Sequence, residues 1–380
     1  MLTAFVLSAV LASGGTLEIV LSVPPTTVDS KIYITGSHDL IGDWNGAGKQ
    51  LKEIAPGLFT VSVEFNQTAQ IEFKFTRGSF ETVEKSKHGT EISNRIANVK
   101  LGKTTSKKLN VEAWADEFAH SKPQITGDYS IIRNFPSEFL PKDRDIIVWL
   151  PPSYYNAVDK KYPVLYMHDG RNLFDPSTSF SGVDWGVDEA MSSGIKNGSL
   201  IEAIVVGIDN TPDRMSEYTP FPDPKHKGGN GENYVRFLVD ELKPFIDSRF
   251  RTLADVANTH IGGSSLGGLI SLYAGISRPD VFGTIIAMSP SIWWSNGKII
   301  DWVLSHDLST RNGKIWMDMG TEELANSLAK TRELAKAIST NFPDYDGFEY
   351  REFKSATHSE SSWRSRIHIV LSFIFSPRDK

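Results

Sequence analysis

A chain of 380 residues, 40% hydrophobic and 23% charged, has an ordinary globular composition and a length suited to two domains. The formal net charge of -6 is spread over interspersed acids and bases. That excludes both the basic stripe of a nucleic-acid binder and the acidic tail of a disordered chain. No cysteine is present, which excludes disulfides, thiolate catalysis and cysteine-ligated metals.

The start, "MLTAFVLSAVLASGGT", carries an apolar run too short for a bilayer, which takes roughly 20 residues. It fits the apolar region of a signal peptide over residues 1–12, with Val10 and Ala12 as small residues before a cut. The basic residues that usually open such a peptide are missing, and the alternative is a first buried strand. The expected location is periplasmic or secreted, and otherwise cytoplasmic. No later stretch is long and apolar enough to span a membrane.

From Leu17 to Val111 short strands alternate apolar and polar residues: "LEIVLSV", "KIYITG", "LFTVSVEF", "QIEFKFT" and "SKKLNVEA". Gly, Asn, Pro and Asp break them at intervals, the pattern of an all-β, immunoglobulin-like sandwich over residues 17–112. Residues 113–122 have no strand period and are read as a linker.

The rhythm then changes over residues 123–380. Apolar strands ("DIIVWLPP", "YPVLYMHDG", "IEAIVVGID", "HIGGSS", "GTIIAMSP", "KIWMDMG", "FEYREF") alternate with helical stretches such as "NYVRFLVDELKPFIDSRF" and "NSLAKTRELAKAIST". Apolar runs without strict alternation suit strands buried on both faces. The reading is a mainly parallel sheet with helices on each side.

"HIGGSSLGGLI" sits where a strand ends and a helix begins, and Gly263-Ser264-Ser265-Leu266-Gly267 fits G-x-S-x-G. A serine at such a turn has a strained backbone and an exposed hydroxyl, and glycines let strand and helix approach closely. The spacing centres on Ser265, which makes Ser264 the weaker candidate. A serine needs a base, and the base an orienting acid, in the chain order Ser, acid, His.

Only His306, His358 and His368 follow Ser265. His368 lies in a helix-like stretch and His306 precedes the acids, so His358, in the loop after "FEYREF", is the expected base. Glu322 and Glu323 follow the strand "KIWMDMG" at the edge where such sheets bind ligands. Glu323 is preferred, Glu322 is the alternative, and Asp318 lies too deep in the strand. Backbone amides of Leu266 and of Arg171, in the loop after "YPVLYMHDG", are the expected oxyanion donors. His168 comes before the serine and reads as a loop-shaping hydrogen-bonder.

"YPVLYMHDGRNLFDP", "GGNGENYVRFLVDELKPFIDSRFRT", "HIGGSSLGGL", "SPSIWW", "MGTEE" and "THSESSW" together resemble the esterase-D-like α/β hydrolases. That family includes siderophore and feruloyl esterases and mycolyltransferases. The resemblance covers residues 123–380 and implies Ser265 as nucleophile, Glu323 as acid and His358 as base, with Arg171 and Leu266 at the oxyanion positions. "SPSIWW" looks most like the siderophore-esterase branch, and a Glu stands where many relatives have Asp. The first domain is similar to the glucoamylase-type starch-binding domain through "IYITGSHDLIGDWN", "LFTVSVEF", "IEFKFTRG" and "NRIANV". That family's sugar platform uses two tryptophans and a lysine. Trp44 and Lys74 match two of these positions, and "FETVEKSK" lacks the second tryptophan. Weak α-glucan binding and a spacer role are both open.

The expected function is serine carboxylic-ester hydrolysis on a small-molecule or glycan-linked ester, of aromatic or siderophore type, without cofactor or metal. Trp185, Trp293, Trp294, Trp363 and Phe174 are read either as an aromatic rim for the substrate or as packing. Two alternatives are a carbohydrate-binding protein with a silent hydrolase domain and an acyltransferase using the same triad.

Overall fold

The structure, a computed structural model, describes residues 14–377 apart from 25–26, 28–29, 88 and 118–123. The expected signal peptide and the later half of the expected linker lie outside these residues. Two compact units form. One runs to Ser121 and takes in Phe180–Gly182, and the other covers Lys122–Ser179 and Val183–Lys380. No helix among the described residues is long and apolar enough to cross a membrane.

The first unit has two four-stranded sheets. In one, Gly15–Ser22 lies between Leu58–Phe65, antiparallel, and Thr104–Asn110, parallel, with Lys52–Ala55 at the edge. In the other, Lys49–Gln50, Tyr33–Gly36, Ala69–Thr76 and Arg95–Val99 are antiparallel neighbours. Alternation in "LEIVL" sends Leu17, Ile19 and Leu21 into one core with Val61, Val63, Ile34, Phe73 and Phe75. Each such side chain contributes about 1.5–3 kcal/mol on burial. Ala113–Trp114 pairs with Glu84–Lys85, and Trp114 is fully buried in this core. Strand structure therefore continues past residue 112 into the stretch read as linker, because the indole completes the core.

The second unit has one eight-stranded sheet: β1 (Asp128–Phe135), β2 (Arg144–Leu150), β3 (Val164–His168), β4 (Ile204–Ile208), β5 (Thr259–Ser264), β6 (Thr284–Met288), β7 (Lys314–Gly320) and β8 (Phe348–Phe353). Their order is 1-2-4-3-5-6-7-8. β2 is antiparallel to both neighbours, and the other pairs are parallel.

The inner strands β2 to β7 are buried on both faces, which is why they read as apolar runs. In β3, Val164 and Tyr166 face one core while Leu165 and Met167 face the other. Helices Leu266–Ser277, Lys298–Leu304 and Ala325–Asn341 cover the first face. Val187–Lys196 and Glu360–Phe375 cover the second. The parallel strands all end at one edge, and the loops leaving that edge carry the candidate residues.

Candidate active site

Ser265 sits between β5 and the helix Leu266–Ser277 with φ 57 and ψ -122. This backbone region is rare for a residue with a side chain and costs about 1–3 kcal/mol. Fixed hydrogen bonds hold it. Its amide donates to Met288 O at 3.0 Å, and its carbonyl accepts from the amides of Ser291 and Leu269 at 3.0 and 3.1 Å. The glycines on either side allow the tight crossing. A Cβ on Gly263 would come within 3.0 Å of Gly267 C and of the His168 ring. Ser264, by contrast, is buried at the end of β5, and its hydroxyl faces away from solvent.

His358 lies in the loop between β8 and the helix Glu360–Phe375. Its Nε2 is 2.9 Å from Ser265 Oγ, and its Nδ1 is 2.6 Å from Glu323 Oε2. Ser265, His358 and Glu323 are thus brought together from positions far apart in the chain. Glu323, in the loop after β7, is only 7% exposed. Burial alone would push its carboxyl up. The His358 ring, together with hydrogen bonds from His358, Ser289 and the Gly320 amide, outweighs burial and holds it below 4.5. Glu322 is exposed, and its backbone amide donates a hydrogen bond to Ala356 O at 3.0 Å. Asp318 is fully buried within β7 and accepts from Arg366 at 2.9 Å and from Trp316 Nε1 at 2.8 Å. The other two histidines stand apart: His306 bonds Trp302 O, and His368 is exposed on its helix.

The loop after β3 lies against the serine turn. A Cβ on Gly267 would be 3.2 Å from His168 Cβ and 3.5 Å from Asp169 Oδ2. Asp169 has φ 60 and is clamped by Arg214 at 2.7 and 2.8 Å and by Asn210 at 2.6 Å. His168 is fully buried, 3.0 Å from Tyr234 Oη, and burial drives its pKa down to about 3. It stays neutral and shapes the loop. These contacts fix His168 and Asp169 against the glycines of the serine turn. The Arg171 side chain turns to Asp209 at 2.9 Å. A cavity of about 270 Å³ adjoins it, lined by Ile125, Ile131, Ile147, Phe174, Arg171 and Asp209 among others.

Of the aromatic residues singled out, Trp185, Trp294, Trp363 and Phe174 are buried and act as packing, while Trp293 is half-buried. Trp363 packs edge-on against the His358 ring at 5.1 Å. In the first unit, Trp44 is half-buried at φ 61. Lys74 requires a correction. It is 3% exposed, and its ammonium bonds Ile92 O at 2.7 Å with Glu91 Oε1 at 3.6 Å, so it is not a side chain held out to a sugar.

Sequence reasoning missed Ser289 and Arg366. "SPSIWW" is a recognisable motif, yet its first serine carries no chemical signal of its own. It also missed the carboxylates Asp184, Asp188 and Glu189, whose ligand atoms lie within 4.8 Å of one another. Arg364 supplies a counter-charge there, at 2.5 Å from Asp184 and 3.2 Å from Glu189. Burial and the neighbouring Glu189 push Asp188 up to about 8.

The Esterase family model matches residues 137–373, more than half of the chain, and the Starch binding domain model matches residues 16–109. The uncharacterized protein YbbA of Bacillus subtilis is 27% identical over 206 residues, 53% of this chain and 77% of its own. The ferri-bacillibactin esterase BesA of the same organism is 32% identical over 158 residues, 37% of this chain and 51% of its own. Among solved structures, the BES protein from Bacillus cereus superposes with a TM-score of 0.55 at 22% identity, over 67% of this chain and 98% of its own. That likeness concerns the fold.

Proposed function

The chain belongs to the esterase family, and on that premise we propose that it hydrolyses carboxylic esters with Ser265 as nucleophile, His358 as base and Glu323 as acid. The observation that carries the proposal is the pair of contacts made by one imidazole, 2.9 Å to Ser265 Oγ and 2.6 Å to Glu323 Oε2. We read the second unit as an α/β hydrolase. The strand order 1-2-4-3-5-6-7-8, the serine turn after β5 and the histidine after β8 support this reading.

The chemistry follows from the geometry. Ser265 Oγ attacks the ester carbonyl as its proton passes to His358 Nε2. Glu323 holds Nδ1–H and stabilises the imidazolium that forms. Negative charge gathers on the carbonyl oxygen, where the amides of Leu266 and Arg171 are the proposed donors. The N-terminal end of the helix Leu266–Ser277 adds its positive dipole end. His358 then returns the proton to the leaving alcohol, giving an acyl-enzyme on Ser265. Water, deprotonated by the same imidazole, releases the acid.

For the substrate we propose an ester with an aromatic or siderophore-type acyl group. Similarity to a relative named for ferri-bacillibactin supports this. For the first unit we propose weak α-glucan binding on the Trp44 face, supported by the domain match. The apolar start supports export to the periplasm or beyond.

A panel of model esters from acetyl to feruloyl, with a catecholate trilactone, tests the reading by kcat/KM. Ser265→Ala is expected to lose about 10⁶-fold in kcat while remaining folded. Wild-type turnover in that variant would overturn the proposal.

A further inference from the structure

Ser289 follows β6 directly, at φ 41, a left-handed conformation unusual for a serine. Its single amide N–H, shared between two oxygens of Asp318, fixes its backbone. The Ser289 amide donates to Asp318 O at 3.0 Å and lies 3.2 Å from Asp318 Oδ1. Its hydroxyl has three neighbours. Trp363 Nε1 approaches at 3.1 Å and Arg366 Nη2 at 2.7 Å. Both are obligate donors, so together they fill the two lone pairs of the hydroxyl oxygen. The single hydroxyl proton must therefore go to the third neighbour, Glu323 Oε1, at 2.5 Å.

Arg366 is 1% exposed and is anchored in turn on Asp318 Oδ1 at 2.9 Å. A chain of buried contacts thus runs from Asp318 through Arg366 and Ser289 to one oxygen of Glu323. The other oxygen faces His358. We infer that Ser289 is a positioning residue. It donates its proton to Glu323, fixes the carboxylate plane and so aims Oε2 at His358 Nδ1, with Arg366 and Trp363 setting the direction of the donation.

The geometry explains how a glutamate serves here. Its extra methylene adds a torsion, and a carboxylate on a longer arm needs more restraint. Three donors restrain it: Ser289, the Gly320 amide and His358. Removing the Ser289 donor leaves Oε1 with the Gly320 amide alone and more negative charge on the carboxylate facing the imidazole. The other charged groups around this point are Asp318 and Arg366, which neutralise each other.

The inference rests on the catalytic reading of Glu323, and a double-mutant cycle separates the two. Ser289→Ala is expected to lower kcat about tenfold with KM nearly unchanged, as a hydrogen bond to a charged group would. The acid limb of kcat/KM should move to higher pH, because the freed carboxylate stabilises the imidazolium more strongly. Ser289→Cys, which keeps a weak donor, should recover part of the loss. In the Glu323→Gln background, Ser289→Ala should lower kcat no further, because the charged carboxylate through which it acts is gone. Equal losses in both backgrounds, or wild-type kcat and an unmoved acid limb in Ser289→Ala, would overturn the inference. If Glu323→Gln is damaging and Ser289→Ala is silent, only this inference fails. If Glu323→Gln is itself silent, the catalytic reading of Glu323 fails.

Discussion

Replacing Glu323 with Gln keeps the size and shape of the side chain and removes its charge. The carboxylate is 7% exposed and lies 2.6 Å from His358 Nδ1. Two unit charges about 4 Å apart interact by about 4 kcal/mol at an effective dielectric near 20. At about 1.36 kcal/mol per tenfold in rate, losing that support for the imidazolium corresponds to about a thousandfold in kcat. A neutral amide keeps some hydrogen bonding but also favours the wrong imidazole tautomer, so the expected range is about 10²–10⁴-fold. Glu322→Gln changes an exposed side chain one residue away and should leave kcat unchanged. Steady-state kinetics on a soluble p-nitrophenyl ester, with thermal unfolding as a check on folding, compares the two variants. A harmful Glu322→Gln beside a silent Glu323→Gln would refute the assignment. Stability offers a second readout. The Glu323 carboxyl is held below 4.5, so its contribution is present above pH 4.5 and is lost as pH falls through the lower folded value. The Tm difference between wild type and Glu323→Gln should therefore narrow in acid.

Asp188 behaves in the opposite sense. Its carboxyl is raised from 3.8 to about 8, so its contribution is fully present below pH 3.8 and is lost as pH rises towards 8. Asp188→Asn should accordingly gain Tm relative to wild type between pH 5 and pH 8, and a constant difference across that range would contradict the shift. In the first unit, titration with β-cyclodextrin should give millimolar binding, about -4 kcal/mol, from one aromatic face. Trp44→Ala should abolish it and leave ester hydrolysis unchanged, whereas no binding by wild type at about 10 mM would leave a spacer role.

Much of this architecture is legible in the amino-acid sequence, and what is not legible has physical causes. Leu17, Ile19 and Leu21 announce a half-buried strand because a strand's side chains alternate. Val164 to Met167 announce a strand buried on both faces because no polar residue interrupts them. β1 escaped notice because it is an edge strand whose residues are mostly half-exposed, and its apolar signal is diluted. The serine turn was legible because its backbone dictates its glycines. Ser289 and Arg366 were not, because a hydrogen-bond network between residues 289, 318, 323 and 366 has no spacing to recognise and exists only once β6, β7 and the last helix are assembled. The tryptophans were ambiguous for a related reason. An indole in a loop reads the same whether it lines a rim or fills a core, and four of the five aromatic positions proved to be buried. Lys74 shows the limit of matching by position. A lysine can occupy a family's site and still turn its ammonium to a backbone carbonyl, here that of Ile92.

The most direct test of the central claim is covalent labelling with a fluorophosphonate, read by peptide mass spectrometry. Such a probe reacts only with a serine activated by a positioned base. The account predicts one adduct per chain, on Ser265, formed quickly in wild type, slowly in Glu323→Gln and not at all in His358→Ala. An adduct on Ser264, or no adduct on the folded wild-type protein, would contradict it.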